Sequence, residues 1–515
     1  MILLSPCSRT RRAHRTLLLC VLISALTAAT PAQKLESAQT PQAEEPIRSR
    51  TNLVVLDVVV TGRDGLPFGS LQKKDFTVLE DGKPQQIQSV EYTEIKTESK
   101  STALKSVLVL DELNSDMMES AYARAQLAHY LSTQPETLSH PTMLVEVNDD
   151  GFQRLAPYTT DRHLLQQALH GIRPGIPFDF NRHDYEARLT ITLDVLRQIA
   201  LANEGAPGRT VLIWLGHGFP SITLTGMEAD AAARMQAVAQ DITNLLLASR
   251  IVIYKVDAAA VGSPALAPNM DDIDAAFDES PEPFADSISF NGIAQQTGGR
   301  YYYNRNDVDV ELGKAAALGS SYYTIAYKPN SLSTDAAAYR HIRVTVDRPG
   351  LKVSTRQGYY HQAPADISIA KTEAIPQVDA AIINNLAYTA LGVQVDNLTL
   401  STNGITTHCK LKIDPGTITW KTLPDGSRVA EFFLGAATYT ANHKPLTYSR
   451  NVAEIRIGAN ESDSDIALHS NFQFPLHVPP AANTLRVIVL SKESGKLGSA
   501  EVTPIPAAAH ATKLK

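Results

Sequence analysis

The apolar positions of this chain change period twice, and each change marks a boundary. Over residues 52–60 and 75–79 short β-branched runs end in the turn signals Thr61-Gly62-Arg63-Asp64-Gly65 and Glu80-Asp81-Gly82-Lys83-Pro84. With a third run at 86–94 they predict a small β module over residues 51–97, too small to stand alone and expected to pack on its neighbour. From Ser106 onward the pattern becomes apolar runs of strand length separated by segments of helical period. Residues 107–110, 210–215 and 251–256 read as buried strands, with 300–303 as a further one. Residues 116–131, 161–169, 184–202, 227–248, 288–297 and 308–318 read as helices. Asp116 and Glu119 have the spacing of a capping box. Asn148-Asp149-Asp150-Gly151 joins residues 143–147 and 152–155 in an antiparallel hairpin.

Strands alternating with helices call for an α/β domain with a doubly wound, mostly parallel sheet and right-handed crossovers. Its span is 104–361, with strands at 322–327, 341–346 and 351–355 expected to extend or cap the sheet. Residues 362–385, Pro-containing and without period, read as a linker. The period then returns to short strands at 398–400, 407–413, 428–434, 451–457, 467–474 and 485–490, punctuated by Asp425-Gly426 and Ser494-Gly495. This predicts a C-terminal β-sandwich of immunoglobulin-like type over 386–505.

Composition narrows the function classes. Hydrophobic residues make up 43% and charged residues 20% of 515, an ordinary globular balance. The net charge of −7 gives no basic field, so no nucleic-acid partner is expected. Residues 1–32 have the form of a cleaved secretory signal: Arg9, Arg11, Arg12 and Arg15 precede an apolar run at 17–26 and a small-residue stretch ending at Ala32. A polar linker at 33–50 follows. The expected localisation is periplasmic or extracellular, with no stable transmembrane segment in the mature chain. Cys7 and Cys20 leave with the signal, so Cys409 remains as a single cysteine, expected as a packed small hydrophobe. The domains therefore depend on core burial rather than disulfides.

The candidate chemistry lies where the first buried strand ends, at Asp111-Glu112-Leu113-Asn114-Ser115. Ligands of open α/β sheets sit outside the carboxyl ends of the strands. A carboxylate and a hydroxyl delivered there are hard oxygen donors of the kind that hold divalent cations.

Four segments carry a resemblance: Leu56-Asp57-Val58-Val59-Val60 through Asp75-Phe76-Thr77-Val78-Leu79-Glu80-Asp81-Gly82-Lys83-Pro84; Val109-Leu110-Asp111-Glu112-Leu113-Asn114; Gln296-Thr297-Gly298-Gly299-Arg300-Tyr301 with Tyr322-Tyr323-Thr324-Ile325-Ala326-Tyr327; and Leu485-Arg486-Val487-Ile488-Val489 with Ser494-Gly495-Lys496-Leu497-Gly498-Ser499. Through these the chain resembles the von Willebrand factor type A domain, and more closely the exported VWFA-related domain proteins of acidobacterial type. The resemblance implies a metal-ion-dependent adhesion site holding Mg²⁺ or another divalent cation. That site uses an Asp-x-Ser-x-Ser motif, a Thr from a later loop and an Asp after the fourth strand. Here Asp111 and Ser115 match, Leu113 replaces the first Ser, the loop at 174–184 has no Thr, and Gly216-His217-Gly218 stands where Thr-Asp-Gly is usual. The expected site is degenerate, with Asp111 and Ser115 as its metal-binding candidates. Glu112, Asn114, Asp179, Asp184 and His217 are accessory ligands or binding-face residues.

His217 has no nucleophile elbow nearby, and reads as a turn residue whose flanking glycines permit tight backbone geometry. His163, His170 and His183 lack metalloprotease spacing. The acidic stretch at 271–286 lacks a calcium-loop pattern. Tyr301–Tyr303 and Tyr322-Tyr323 are expected half-buried at strand ends with wet hydroxyls. The functional expectation is an exported, non-enzymatic interaction or adhesion-type protein whose partner is a protein or cell-envelope component. The alternatives are a hydrolase using His217 with nearby carboxylates, and a structural module of the envelope.

Overall fold

The computed structural model describes residues 53–94, 104–149, 151–172, 185–257, 282–302, 308–330, 339–360, 371–400, 407–441, 443–461, 471–474 and 476–505. The expected signal, its linker, and Asp179, Asp184, His183, Tyr303 and residues 271–281 lie outside the described residues, as does the side chain of Cys409.

At the centre is a mixed α/β domain. Its six-stranded sheet runs in space Arg300–Tyr302, Ile251–Val256, Arg209–Leu215, Leu104–Asp111, Thr137–Asn148, Gly151–Asp161. All neighbours pair in parallel except the last, the antiparallel hairpin expected from the Asn148–Gly151 turn. Numbered along the chain, the order is 3-2-1-4-5-6. The first and fourth strands lie side by side with their connections leaving in opposite directions, which opens a crevice at their carboxyl ends. The strands Arg209–Leu215 and Ile251–Val256 are buried throughout, which is why they read as unbroken apolar runs rather than alternating ones.

Helices cover both faces. Val107, Val109, Leu212, Trp214 and Ile253 pack against Leu193, Leu196 and Ile199 of the helix Tyr185–Asn203 and Ile242 and Leu246 of Ala229–Ala248. On the opposite face Leu108, Leu110, Ile213 and Val252 meet Ala123, Leu127 and Leu131 of Met117–Thr133 and Leu312 and Ala315 of Val308–Ser320. The mostly parallel, doubly wound sheet expected from the sequence is present, in an order consistent with a type A-like fold.

The strands expected to extend or cap this sheet pair elsewhere. Ser321–Lys328 lies antiparallel between Val54–Thr61 and Gln86–Glu94, while Tyr339–Val346 pairs with Phe76–Glu80 and Lys352–Ser354 with Val54–Thr61. Strands from both ends of the α/β segment thus complete two four-stranded antiparallel sheets around Leu56, Val58, Phe76, Val78, Tyr323, Ile325 and Val344. Glu94 sits opposite Ser321 in this register, so the chain leaves the β module and re-enters it at adjacent points. The physical reason is the alternation of the 321–328 strand, which needs a one-sided antiparallel partner and not a site in a sheet buried on both faces. Tyr322 and Tyr323 are correspondingly buried, and the Tyr323 hydroxyl is not wet: it donates to the Phe68 carbonyl at 2.9 Å and accepts from the Leu71 N–H at 3.0 Å.

The stretch read as a linker contains a helix, Lys371–Ile383, with Pro376 inside it. Ala374, Val378, Ala381 and Ile382 are its buried positions, and they pack on the strands Arg428–Tyr439 and Thr484–Ser491 in a core continuous with that of the α/β domain. Beyond it, two antiparallel sheets share a core of Leu411, Ile413, Phe432, Leu434, Ile455, Val487 and Val489. Tyr388 donates to Gln198 at 2.7 Å and Asn384 donates to the same oxygen at 3.1 Å. These bonds tie the C-terminal sheets to the Tyr185–Asn203 helix.

Candidate functional site

Asp111 ends the first strand and is fully buried. Its Oδ1 accepts from the Asn114 N–H at 3.0 Å, and its Oδ2 accepts from Trp214 Nε1 at 3.0 Å and the Gly218 N–H at 2.8 Å. The Asn114 amide lies 3.3 Å from both oxygens and donates to Thr192 at 3.2 Å. A carboxylate offers about four acceptor positions, and N–H donors from three segments take them. Burial pushes the Asp111 carboxyl up, opposed first by the Trp214 bond and then by the backbone bonds of Asn114 and Gly218.

The Gly-His-Gly segment is shaped by this contact. Gly216 has φ +138, and a Cβ there would lie 2.6 Å from Asp111 Cβ. Gly218 has φ +62, and a Cβ there would lie 2.5 Å from the Phe290 ring. Between them His217 is carried out over the end of the fourth strand. Its Nδ1 is 3.0 Å from Asp257 Oδ1, at the end of the fifth strand, and its Nε2 is 3.0 Å from Glu119 Oε2. Glu119 is also the reciprocal partner in the capping box of the Met117–Thr133 helix, accepting from the Asp116 N–H at 3.0 Å while Asp116 accepts from its N–H at 2.8 Å. The Asp257 bond, with the charges of Asp257 and Glu119, outweighs burial and lifts His217 to about 9. The raised pKa favours the imidazolium at neutral pH, with a carboxylate oxygen 3.0 Å from each ring nitrogen.

Lys255 lies beside it, its Nζ 3.9 Å from Asp257 Oδ2. Burial lowers its pKa, and the Asp257 and Asp111 carboxylates oppose that. Asn114, Arg188, His217, Ser221, Lys255 and Asp257 open onto a cleft of about 400 Å³ at this edge.

These residues do not fit a hard divalent cation. Mg²⁺ needs oxygen ligands with free lone pairs in near-octahedral array, whereas the Asp111 oxygens already accept N–H donors. Leu113, at the place of a motif hydroxyl, is buried in the core. The position after the fourth strand holds His217, raised toward its cationic form, and Lys255 brings an amine rather than an oxygen ligand. Among the described residues no three His, Cys, Asp or Glu side chains are grouped to hold a metal.

The other candidates disperse. Ser115 is buried immediately before the Asp116 cap. Glu112 faces the opposite layer, where Arg124 Nε is 2.5 Å away. There it couples to Glu146, whose carboxyl is pushed up to about 7 by burial and by the Glu112 charge. Asn114 and His217 do join Asp111. Trp214, Thr192, Lys255 and Asp257 were not expected. The signal for the last two was visible: a lysine inside an apolar strand run, followed two residues later by a carboxylate.

No protein-family model and no curated protein sequence matches this chain. Among solved structures it is similar to the crystal structure of manganese-loaded Plasmodium vivax TRAP protein, at 10% identity and a TM-score of 0.25, over 54% of this chain and 99% of that chain.

Proposed function

We propose that the chain is an exported, non-enzymatic interaction protein of adhesion type, acting through the carboxyl edge of a von Willebrand factor A-like sheet without a metal ion. We read the C-terminal pair of antiparallel sheets as an immunoglobulin-like sandwich that supports this domain. The observation that carries the reading is the His217 clamp: a fixed imidazolium held by Asp257 and Glu119 beside Lys255, at the switch point where such sheets bind ligands. Arg188, Ser221 and Lys255 line the cleft beside this clamp and would supply donors to a polar group on a protein or envelope partner. Among the described residues no helix is long and apolar enough to cross a membrane.

A hydrolase reading needs a neutral imidazole with a free nitrogen to act as general base near neutral pH. The raised pKa of His217 and the carboxylate beside each of its nitrogens argue against that role.

The test is retention of envelope-extract components on the immobilised protein, in EDTA and in Mg²⁺, beside a Ser221→Trp variant. Ser221 is exposed at the mouth of the cleft. Retention that is equal in EDTA and Mg²⁺ and lost in Ser221→Trp is expected. Retention that ignores Ser221→Trp, or no specific retention, overturns the reading.

A further inference from the structure

At the opposite, amino-terminal end of the sheet, a cleft of about 490 Å³ opens between the base of the α/β domain and the β module. Arg209, Arg250 and Arg356 line it, together with a single carboxylate, Asp57.

Asp57 is used chiefly by Arg250, which donates to Oδ1 at 2.6 Å, approaches Oδ2 at 3.4 Å, and reaches Thr324 at 3.3 Å. Arg209 opens the strand Arg209–Leu215 and its side chain is 2% exposed. Its guanidinium lies 4.8 Å from the Tyr322 ring centre. Its Nε is 3.8 Å from Asp57, beyond hydrogen-bond reach, and Nε and Nη1 are buried without a hydrogen-bond partner. Arg356 donates from Nη2 to the Val55 carbonyl at 3.1 Å and stacks 5.3 Å from Tyr359, while its Nε is also buried without a partner.

The surrounding carboxylates do not balance this charge. Glu80, reached through Tyr359, is paired with Arg340 and accepts from Tyr327 at 2.6 Å. Glu282 acts on Tyr360 and is not among the cleft's lining residues, and Arg300, near Tyr254, adds positive charge. The tyrosines here are neutral, since burial raises Tyr254, Tyr322 and Tyr359. Buried guanidinium groups with unused donors are costly unless an anion meets them. Their planar forks match the oxygens of phosphate and carboxylate. A phosphate monoester carries about −1.5 to −2 at neutral pH, matching two guanidinium charges in excess of Asp57, whereas one carboxylate does not. Leu247 and Ile251 give the cleft an apolar wall beside the charge.

We infer that this interdomain cleft binds a phosphate monoester on a small organic molecule, held by Arg209 and Arg356 with Arg250 positioned by Asp57. The site is independent of the sheet's carboxyl edge.

Isothermal titration of the full chain in phosphate-free, low-salt buffer, with phenyl phosphate, inorganic phosphate and benzoate as probes, tests this. Phenyl phosphate is expected to bind at least about ten-fold more tightly than benzoate, since hydrogen bonds to charged groups are the strong ones. Arg356→Gln, a change at a half-buried position, is expected to weaken phenyl phosphate about ten-fold, and Ser221→Trp to leave it unchanged. Arg209→Gln is read only where the melting profile shows a folded protein, so Arg356→Gln carries the decision. No binding of phenyl phosphate at millimolar concentration, equal affinity for phenyl phosphate and benzoate, or an affinity indifferent to Arg356→Gln would each overturn the inference.

Discussion

His217 and Asp257 meet across the ends of the fourth and fifth strands, with Nδ1 3.0 Å from Oδ1. That contact sets an imidazole raised toward its cationic form at the carboxyl edge of the sheet. The pairing depends on two glycines, because at φ +138 a Cβ on Gly216 would strike Asp111 and at φ +62 one on Gly218 would strike the Phe290 ring.

The first prediction concerns pH. His217 titrates at about 9 in the folded chain against about 6.5 in the unfolded one. Its folded-state pKa is raised, so its stabilising contribution is full below about pH 6.5 and is lost as pH rises through 9. With the ring partly exposed, His217→Gln is expected to cost about 1–2 kcal/mol at pH 6 and close to nothing at pH 10. Denaturant melts of both proteins across that range check the sign.

Asp111→Ala leaves the Trp214 indole, the Gly218 N–H and the Asn114 amide without their acceptor. A loss of about 3–5 kcal/mol is expected, in EDTA and in Mg²⁺ alike. A loss seen only in the presence of metal would mean that Asp111 serves as a ligand.

Gly216→Ala forces a Cβ to within 2.6 Å of Asp111. Because the neighbour is a buried, hydrogen-bonded side chain, the backbone has to shift, and destabilisation of about 2–4 kcal/mol is expected. Loss of the raised His217 pKa, read from the histidine ring signals by NMR, should accompany it.

Glu146 and Glu112 share the far side of the sheet edge with Arg124. Glu146 is raised to about 7, so the folded state favours its neutral form. That contribution is present below about pH 4.5 and is lost as pH rises through 7. Glu146→Gln is expected to be about 1–2 kcal/mol more stable than the parent at pH 8, with little difference at pH 4. Thermal melts at the two pH values decide it.

Much of the central domain was legible because its signals are local. The buried runs of the Arg209–Leu215 and Ile251–Val256 strands, the Asp116–Glu119 capping box and the turn at Asn148–Gly151 each act within a few residues. Pairings across long sequence separation were not legible: nothing in Leu56 names Ile325 as its partner. The helix Lys371–Ile383 was missed for a different reason. Its buried positions, 374, 378, 381 and 382, do follow a helical period, but Ala374 and Ala381 are small and Pro376 reads as a breaker.

The candidate site was half visible. Asp111, Asn114 and His217 come together as their positions at strand ends imply. The donors that saturate Asp111 come from a tryptophan inside a core strand and a backbone N–H, neither of which has a motif. Lys255 and Asp257 belong to no motif; their one signal is a lysine inside an apolar run with a carboxylate at its end.

The central claim is that the sheet's carboxyl edge works through fixed side-chain charges and not through a bound ion. Thermal melting of the purified chain in EDTA and in millimolar Mg²⁺, Mn²⁺ and Ca²⁺ tests it most directly, since any ion that binds the folded state raises the melting temperature. Coincident melting curves are expected in all four conditions. A saturable rise with one of the cations that disappears in Asp111→Asn would contradict it.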